Sequence, residues 1–361
     1  MKKIHQIQPN IKNDDYNAVS KYLKNGGWIT EHNTTREFET NIAKYVNRKY
    51  SLAVPNGTIA LYLALLAAGL TKGKKVAVPN LTMIATINAV IWAGAEPVIV
   101  DVNSEFCLSL TSLKKIKRLD AVIYVPLNGR TSEGLEIEKW CSEKNIVLIE
   151  DSAHALGSKY SDEKYCGSLG KISIFSFTPH KIITTGQGGM ILTDNLKHFK
   201  YIDKIKTFNR RKDKLDIHEG FGLNFKFTDL QASLGNSQFD KLNYHIERKQ
   251  KIYSYYKKIN SNIATLGSFL SNEVPWFFDL YFQSKNIKKE VVNILTKYNI
   301  EIREVYPPLS KQNYLKSVQK TDLVKSESIY NKAIWLPSSI NLTLKEVNFI
   351  TEVINSYEVK N

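Results

Sequence analysis

The sequence predicts an α/β protein: a mostly parallel sheet flanked by helices, followed by a smaller C-terminal α+β domain. Three observations point there. Short apolar runs alternate with helical segments through the first half of the chain. Glycine-containing turns and polar residues fall at the ends of those runs. From about Tyr253 onwards the pattern changes to mixed strands and amphipathic helices.

Asp14 to Asn25 reads as an amphipathic helix, with Tyr16, Val19, Tyr22 and Leu23 on one side. After the turn Asn25-Gly-Gly27, a second helix is expected from Thr34 to Asn47. Leu52-Ala-Val54 is a short strand whose end, Pro55-Asn-Gly57, opens an alanine- and leucine-rich helix. Lys75 to Val78 predicts a strand, Met83 to Ala93 a helix and Pro97 to Val100 a strand. Ala121 to Val125 and Val147 to Ile149 follow as strands, separated by a helix over Glu133 to Lys144. Ile172-Ser-Ile-Phe-Ser-Phe177 alternates as a strand, and one long helix is expected over Asp229 to Lys251, leaving the large domain. A strand at Phe277 to Phe282 and a helix at Lys288 to Tyr298 belong to the tail. The expected division is therefore 1–250 and 251–361. In open sheets of this kind the ligand sits beyond the carboxyl ends of the strands. Pro55-Asn-Gly-Thr58, Asp151 and the loop around Lys181 all fall at such ends.

The 361 residues, 43% hydrophobic and 24% charged, suit a soluble two-domain protein with a sizeable core. The start, Met1-Lys-Lys-Ile-His-Gln-Ile, lacks the apolar run of a secretory signal, and no stretch approaches the roughly 20 apolar residues of a spanning helix. A cytoplasmic location with no membrane association is expected. Cys107, Cys141 and Cys166 are scattered without metal-type spacing, so reduced thiols and no metal site are expected. The net charge of +15 is spread along the chain, and its densest group, Arg210-Arg-Lys-Asp-Lys214, is broken by an acid. With no nucleic-acid motif, this reads as a solvated surface whose field favours a small anionic substrate such as a nucleotide diphosphate.

The chemistry centres on Lys181. A strand delivers it into a loop that Thr184-Thr-Gly-Gln-Gly-Gly189 turns tightly, where a lysine could be desolvated and made nucleophilic. Asp151 ends the apolar run of Ile149-Glu-Asp-Ser-Ala-His-Ala-Leu-Gly157, at the interval from Lys181 that pyridoxal phosphate enzymes use. Such a carboxylate would keep a pyridine nitrogen protonated and the ring an electron sink. Taken alone, Asp151 reads equally as a turn or helix-capping residue, and His154 as an ordinary helix histidine. Asn56-Gly57-Thr58 before a helix makes a phosphate cradle from free N–H groups, to which the Ser176 hydroxyl could add.

On these stretches the chain resembles the DegT family of sugar aminotransferases, within the aspartate-aminotransferase fold type (fold type I) of pyridoxal phosphate enzymes. The motifs include Asn56-Gly-Thr-Ile-Ala-Leu-Tyr-Leu-Ala-Leu65, Val78-Pro-Asn-Leu-Thr-Met-Ile-Ala-Thr-Ile-Asn88 and Gly94-Ala-Glu-Pro-Val-Ile-Val-Asp101. Further on come Glu150 to Gly157, Phe175 to Gly189, Gly222-Leu-Asn-Phe-Lys-Phe-Thr-Asp-Leu-Gln-Ala232 and Ile334-Trp-Leu-Pro-Ser-Ser339. They span almost the whole chain in order. The resemblance implies that Lys181 bonds the cofactor and later shuttles a proton, that Asp151 faces the pyridine nitrogen and that His154 faces the cofactor's O3′. It implies Gly57, Thr58 and Ser176 around the phosphate, Met83 against the ring, and Asn224 reaching a phosphate across a homodimer interface. Trp28 and Thr30 match an N-terminal loop near the sugar-nucleotide site.

Three departures accompany the likeness. Met83 stands where an aromatic residue often covers the ring, and a thioether can still pack there. Gln187 replaces a frequent glutamate, and Lys226 replaces the usual arginine, losing bidentate anion contact. The resemblance implies amino transfer from L-glutamate to a keto group of a nucleotide-linked sugar, with pyridoxamine phosphate as the intermediate form. The pattern is most like enzymes that aminate C4 of a 4-keto-6-deoxyhexose, the perosamine-synthase type, for a surface glycan. Sugar dehydration is disfavoured because position 181 is lysine, with His180 merely its neighbour. Alternatives are amination of a small or phosphorylated ketone, and a non-catalytic protein that keeps the fold for binding. Arg303, Tyr306 and His218 are candidates for substrate contact that spacing does not decide.

Overall fold

The computed structural model describes residues 3–211, 213 and 216–357, so Lys212 and Lys214 of the basic run lie outside the described residues. Helices α1 (Asn13–Lys24) and α2 (Asn33–Tyr45) precede β1 (Tyr50–Val54) and α3 (Gly57–Ala67). The alternating stretch continues through β2 (Lys75–Pro79), α4 (Ala85–Trp92), β3 (Glu96–Val100), α5 (Leu110–Leu113), β4 (Ala121–Tyr124) and α6 (Gly134–Glu143). It ends with β5 (Val147–Asp151), β6 (Ile172–Ser176), β7 (Gly189–Thr193) and α7 (Leu196–Lys206). Helices α8 (Asp229–Phe239) and α9 (Leu242–Tyr256) lead to β8 (Ala264–Leu266), β9 (Phe278–Phe282), α10 (Lys285–Lys297) and β10 (Arg303–Glu304). The chain closes with β11 (Gln319–Lys320), α11 (Val324–Lys332), β12 (Ala333–Leu336) and α12 (Leu344–Asn355).

The large sheet has the order β1-β7-β6-β5-β4-β2-β3-β11. From β6 to β11 every neighbouring pair is parallel, as expected of a sheet covered by helices on both faces. β4, β6 and β7 are buried at every residue. β7 is antiparallel to both of its neighbours, because it is the return strand of a long hairpin from β6. That hairpin is closed by Phe177 N donating to Gly188 O at 2.8 Å and Thr185 N donating to Phe177 O at 3.0 Å. Lys181 therefore sits on a loop clamped at its base, not on an open crossover.

Two helix boundaries differ from the sequence expectation. The long helix over Asp229 to Lys251 is two helices, broken at Asp240–Lys241. At the break Lys241 leaves helical geometry (φ −100°, ψ 5°), and Gln238 and Lys241 both reach the buried Asp15 of α1, at 2.9 and 2.6 Å. α4 begins at Ala85, which leaves Met83 in the preceding loop, its sulfur accepting from Ala85 N at 3.0 Å.

The second sheet, β10-β12-β9-β8, is antiparallel throughout and has its own apolar cluster around Phe278, Leu280, Phe282 and Ile350. We propose a division near residue 250, with exchanges across it: Ile4 bridges to Ile300, and β11 joins the large sheet beside β3. Between the two sheets, the buried Arg130 and Asp279 pair at 2.5 Å. Asp279 Oδ1 also accepts from Asn128 Nδ2 and Trp335 Nε1, each at 2.7 Å. Removing one partner of such a pair strands the other charge. Asp279→Ala should therefore cost about 3–5 kcal/mol in equilibrium urea unfolding. Lys204→Ala, which breaks an exposed pair with Glu219, should leave the midpoint within error.

Candidate active site

A cavity of about 720 Å³ opens beyond the carboxyl ends of β1, β2, β4, β5 and β6. Gly57 and Thr58 line it from the start of α3, and Met83 from the loop after β2. Asp151 lines it from the end of β5, His154 from just beyond, and Ser176 and Lys181 from the end of β6 and its hairpin loop. Trp276, Arg303 and Tyr306 close it from the small-domain side. Seven of the expected site residues thus meet in one cavity. Asn224 is not among them: it is exposed, on a segment whose backbone pairs with Thr207. Trp28 is 67% exposed and Thr30 bridges to Thr228, so neither lines this cavity. Gln187 lines it, while the exposed Lys226 does not.

The local structure explains the phosphate cradle. Asn56 caps α3 by accepting from Ile59 N at 3.0 Å, which leaves the first N–H groups of the helix free for an anion. Gly57 faces Ser176 so closely that a Cβ there would lie 3.0 Å from the serine Cβ. A Cβ on Gly189 would meet the Asn56 carbonyl at 2.5 Å, so β7 can pass the turn only as glycine. Neither the Thr58 nor the Ser176 hydroxyl has a protein hydrogen-bond partner among the described residues, although both line the cavity.

Asp151 is buried and fixed by Thr86, whose hydroxyl donates to Oδ2 at 2.9 Å, with Ala153 N on Oδ1 at 3.3 Å. Burial raises its pKa, opposed by those hydrogen bonds and by the Lys181 charge. The Lys181 ammonium lies 4.0 Å from the Trp276 ring centroid. Burial pushes its pKa down to about 7; the Asp151 carboxylate pulls it back up and the Arg303 guanidinium adds to the fall. His154 packs on Trp276 with ring centroids 3.8 Å apart, and its Nδ1 has no hydrogen-bond partner among the described residues. Burial holds its pKa well below the usual histidine range, assisted by Lys181 and Arg303, so the ring is neutral at pH 7.

Arg303 ion-pairs with no carboxylate among the described residues. Its guanidinium is bordered by the rings of Tyr306, Trp335 and Phe277 at 5.4, 5.6 and 5.8 Å. The cavity therefore pairs one carboxylate with a lysine, an arginine and free helix N–H groups. It is built for an anion-bearing cofactor and an anionic substrate. The buried acid, the orphaned His154 nitrogen and the empty-handed hydroxyls fit a pyridoxal phosphate group. Trp276 and Thr86 were missed in the sequence. Trp276 arrives from beyond α9, and only its place in an aromatic run marked it. Thr86 lies three residues after Met83, at the start of α4.

A family model described as the DegT/DnrJ/EryC1/StrS aminotransferase family matches residues 9–355. The chain is 32% identical to a GDP-perosamine synthase of Escherichia coli O157:H7 over 99% of each chain. It is 30% identical to a UDP-4-amino-4,6-dideoxy-N-acetyl-beta-L-altrosamine transaminase of Campylobacter jejuni, over 96% of this chain and 95% of that one. The solved structure of Helicobacter pylori PseC, an aminotransferase of pseudoaminic acid biosynthesis, superposes with a TM-score of 0.91 at 23% identity, over 98% of both chains.

The electrostatics around Lys181 have a direct test. In cofactor-free protein, the rate of Lys181 labelling by an amine reagent should rise with a midpoint near pH 7, as its pKa of about 7 requires. Arg303→Met should move that midpoint up, by removing a like charge. Asp151→Asn should move it down, by removing the stabilising carboxylate. Peptide mapping of the labelled lysine against pH reads all three.

Proposed function

The chain belongs to the DegT/DnrJ/EryC1/StrS aminotransferase family and is a pyridoxal phosphate-dependent sugar aminotransferase, and on that premise we propose its substrates and residue roles. The reaction is transfer of an amino group from L-glutamate to C4 of a nucleotide-linked 4-keto-6-deoxyhexose. The product is an amino sugar for a surface glycan. The observation that carries this reading is the cavity itself, lined by Asp151, by a lysine titrating near pH 7 and by Arg303, which has no carboxylate partner among the described residues. The similarity to a GDP-perosamine synthase and to a UDP-4-amino-4,6-dideoxy-N-acetyl-beta-L-altrosamine transaminase supports the substrate class.

Pyridoxal phosphate, when bound, supplies an electron sink and a carrier for the amino group. The α3 N–H groups, Thr58 and Ser176 would bind its phosphate, and Asp151, oriented by Thr86, would hold a proton on its ring nitrogen. Met83 would pack against the ring, and His154 would face the O3′ side. Lys181 Nζ would hold the cofactor and, as a neutral amine, would take the proton from the donor's α-carbon and return a proton in the second half of the cycle. A base near pH 7 suits that task, because both of its protonation states are then accessible. Trp276 covers this amine and keeps bulk water from it. Arg303 meets the charged part of the substrate, for which its planar fork is suited. We place the enzyme in a cytoplasmic homodimer, in which Asn224 reaches the partner's phosphate. Its exposure outside its own cavity supports this, as does the neighbouring Phe221, 71% exposed.

Loading the enzyme with pyridoxamine phosphate and adding nucleotide 4-keto and 3-keto sugars should restore cofactor colour, fastest with a 4-keto-6-deoxy sugar. A response only to small or phosphorylated ketones would show that the nucleotide-sugar reading is wrong. Arg303→Gln should weaken binding of the responding sugar nucleotide or of glutamate about 10- to 100-fold, as loss of a charged hydrogen-bonding partner does. Unchanged KM for both would remove Arg303 from the site.

A further inference from the structure

Two buried bases take no part in the chemistry above. His245 and Lys249 lie one helical turn apart on α9, within the buried stripe of Leu242, His245, Lys249, Ile252 and Tyr256. The hydrogen bonds of both side chains go to neutral groups. His245 Nδ1 is 2.9 Å from Ile182 O, and a carbonyl can only accept, so Nδ1 carries the proton. Nε2 is then the acceptor for Asn10 Nδ2 at 3.0 Å. The backbone of Asn10 is itself held, because its main-chain carbonyl accepts from Gln238 Nε2 at 2.9 Å. Lys249 Nζ donates to two carbonyls, those of Trp276 and Ser338. Trp276 in turn donates from its indole nitrogen to His180 O at 2.7 Å, while its backbone N–H reaches Asn128 O at 3.0 Å.

The carbonyls on both sides of Lys181 therefore end on one helix. That of Ile182 is held directly by His245, and that of His180 through Trp276, which Lys249 holds. We infer that α9 is a positioning element for Lys181, with His245 and Lys249 as its positioning residues. Neither side chain lines the cavity, so each acts through the backbone of the loop or through Trp276. A lysine side chain has four rotatable bonds, and only a fixed backbone on either side limits where its amine can swing. A displacement of about 1 Å in such a group can cost about 100-fold in rate. The choice of residues supports the assignment. An apolar side chain at 245 or 249 would fill the stripe without the cost of burying a polar group. What the two bases add is donors aimed at this loop and at the indole that covers the amine.

The inference rests on Lys181 being the cofactor lysine, and its test needs no sugar substrate. The holoenzyme, His245→Ala, His245→Asn and Lys249→Met would each be titrated for the pH midpoint of the visible band of the lysine-bound cofactor. Each would then be mixed with L-glutamate in a single turnover. Asparagine keeps a donor near the Nδ1 position, whereas alanine removes it. His245→Ala should slow the turnover about 10- to 100-fold with the half-saturating glutamate concentration unchanged within about twofold. Its midpoint should move up by about one unit, because water admitted beside the amine favours the charged form. His245→Asn should restore both, and Lys249→Met should behave like His245→Ala. A folded His245→Ala with unaltered midpoint and rate would overturn the inference, as would a loss that asparagine does not rescue. If the alanine variant fails to fold, Lys249→Met decides by the same criteria. If glutamate proves not to be the donor, the midpoint still reports on the positioning while the donor assignment fails separately.

Discussion

The site depends on one constraint: the hairpin from β6 to β7 holds a half-buried lysine, its amine desolvated, beside a buried carboxylate. The hairpin is fixed by two backbone bonds at its base and by full burial of both strands. Burial takes the Lys181 pKa from 10.5 to about 7. At 1.36 kcal/mol per unit, that is on the order of 5 kcal/mol of differential destabilisation of the charged amine. The surrounding core sustains it. The sheet strands bury nearly continuous valine, isoleucine and leucine runs against α3 and α4.

Desolvation alone does not select the reactive lysine. Lys249 is also buried, and its pKa is also pushed down to about 7 by burial. It donates to two backbone carbonyls and does not line the 720 Å³ cavity, whereas Lys181 lines that cavity and has Asp151 within electrostatic reach. Access and an acid partner, not basicity, separate the two. The same distinction assigns the polar groups around the cavity. Thr86 is committed to Asp151, while Thr58, Ser176 and His154 Nδ1 have no hydrogen-bond partner among the described residues.

Lys181, Asp151, Gly57, Thr58 and Ser176 were legible in the sequence because each sits at the end of a strand, where chain order and sheet topology place it automatically. The strand return at β7 was not, since an apolar run of five residues carries no mark of its direction. The break between α8 and α9 was hidden because neither Asp240 nor Lys241 is a glycine or proline that would mark a helix end. Trp276 and Arg303 come from the second half of the chain and enter the cavity only once the two sheets are packed together. Local pattern cannot report such a meeting. Asn224 shows the converse: a motif residue found outside the cavity of its own chain.

The most direct measurement is to reduce the coloured holoenzyme with borohydride and map the peptide that carries the cofactor. The account predicts a single modified site, Lys181, in the loop between β6 and β7. Cofactor trapped on Lys249, the other buried lysine titrating near pH 7, or on no lysine at all, would contradict it.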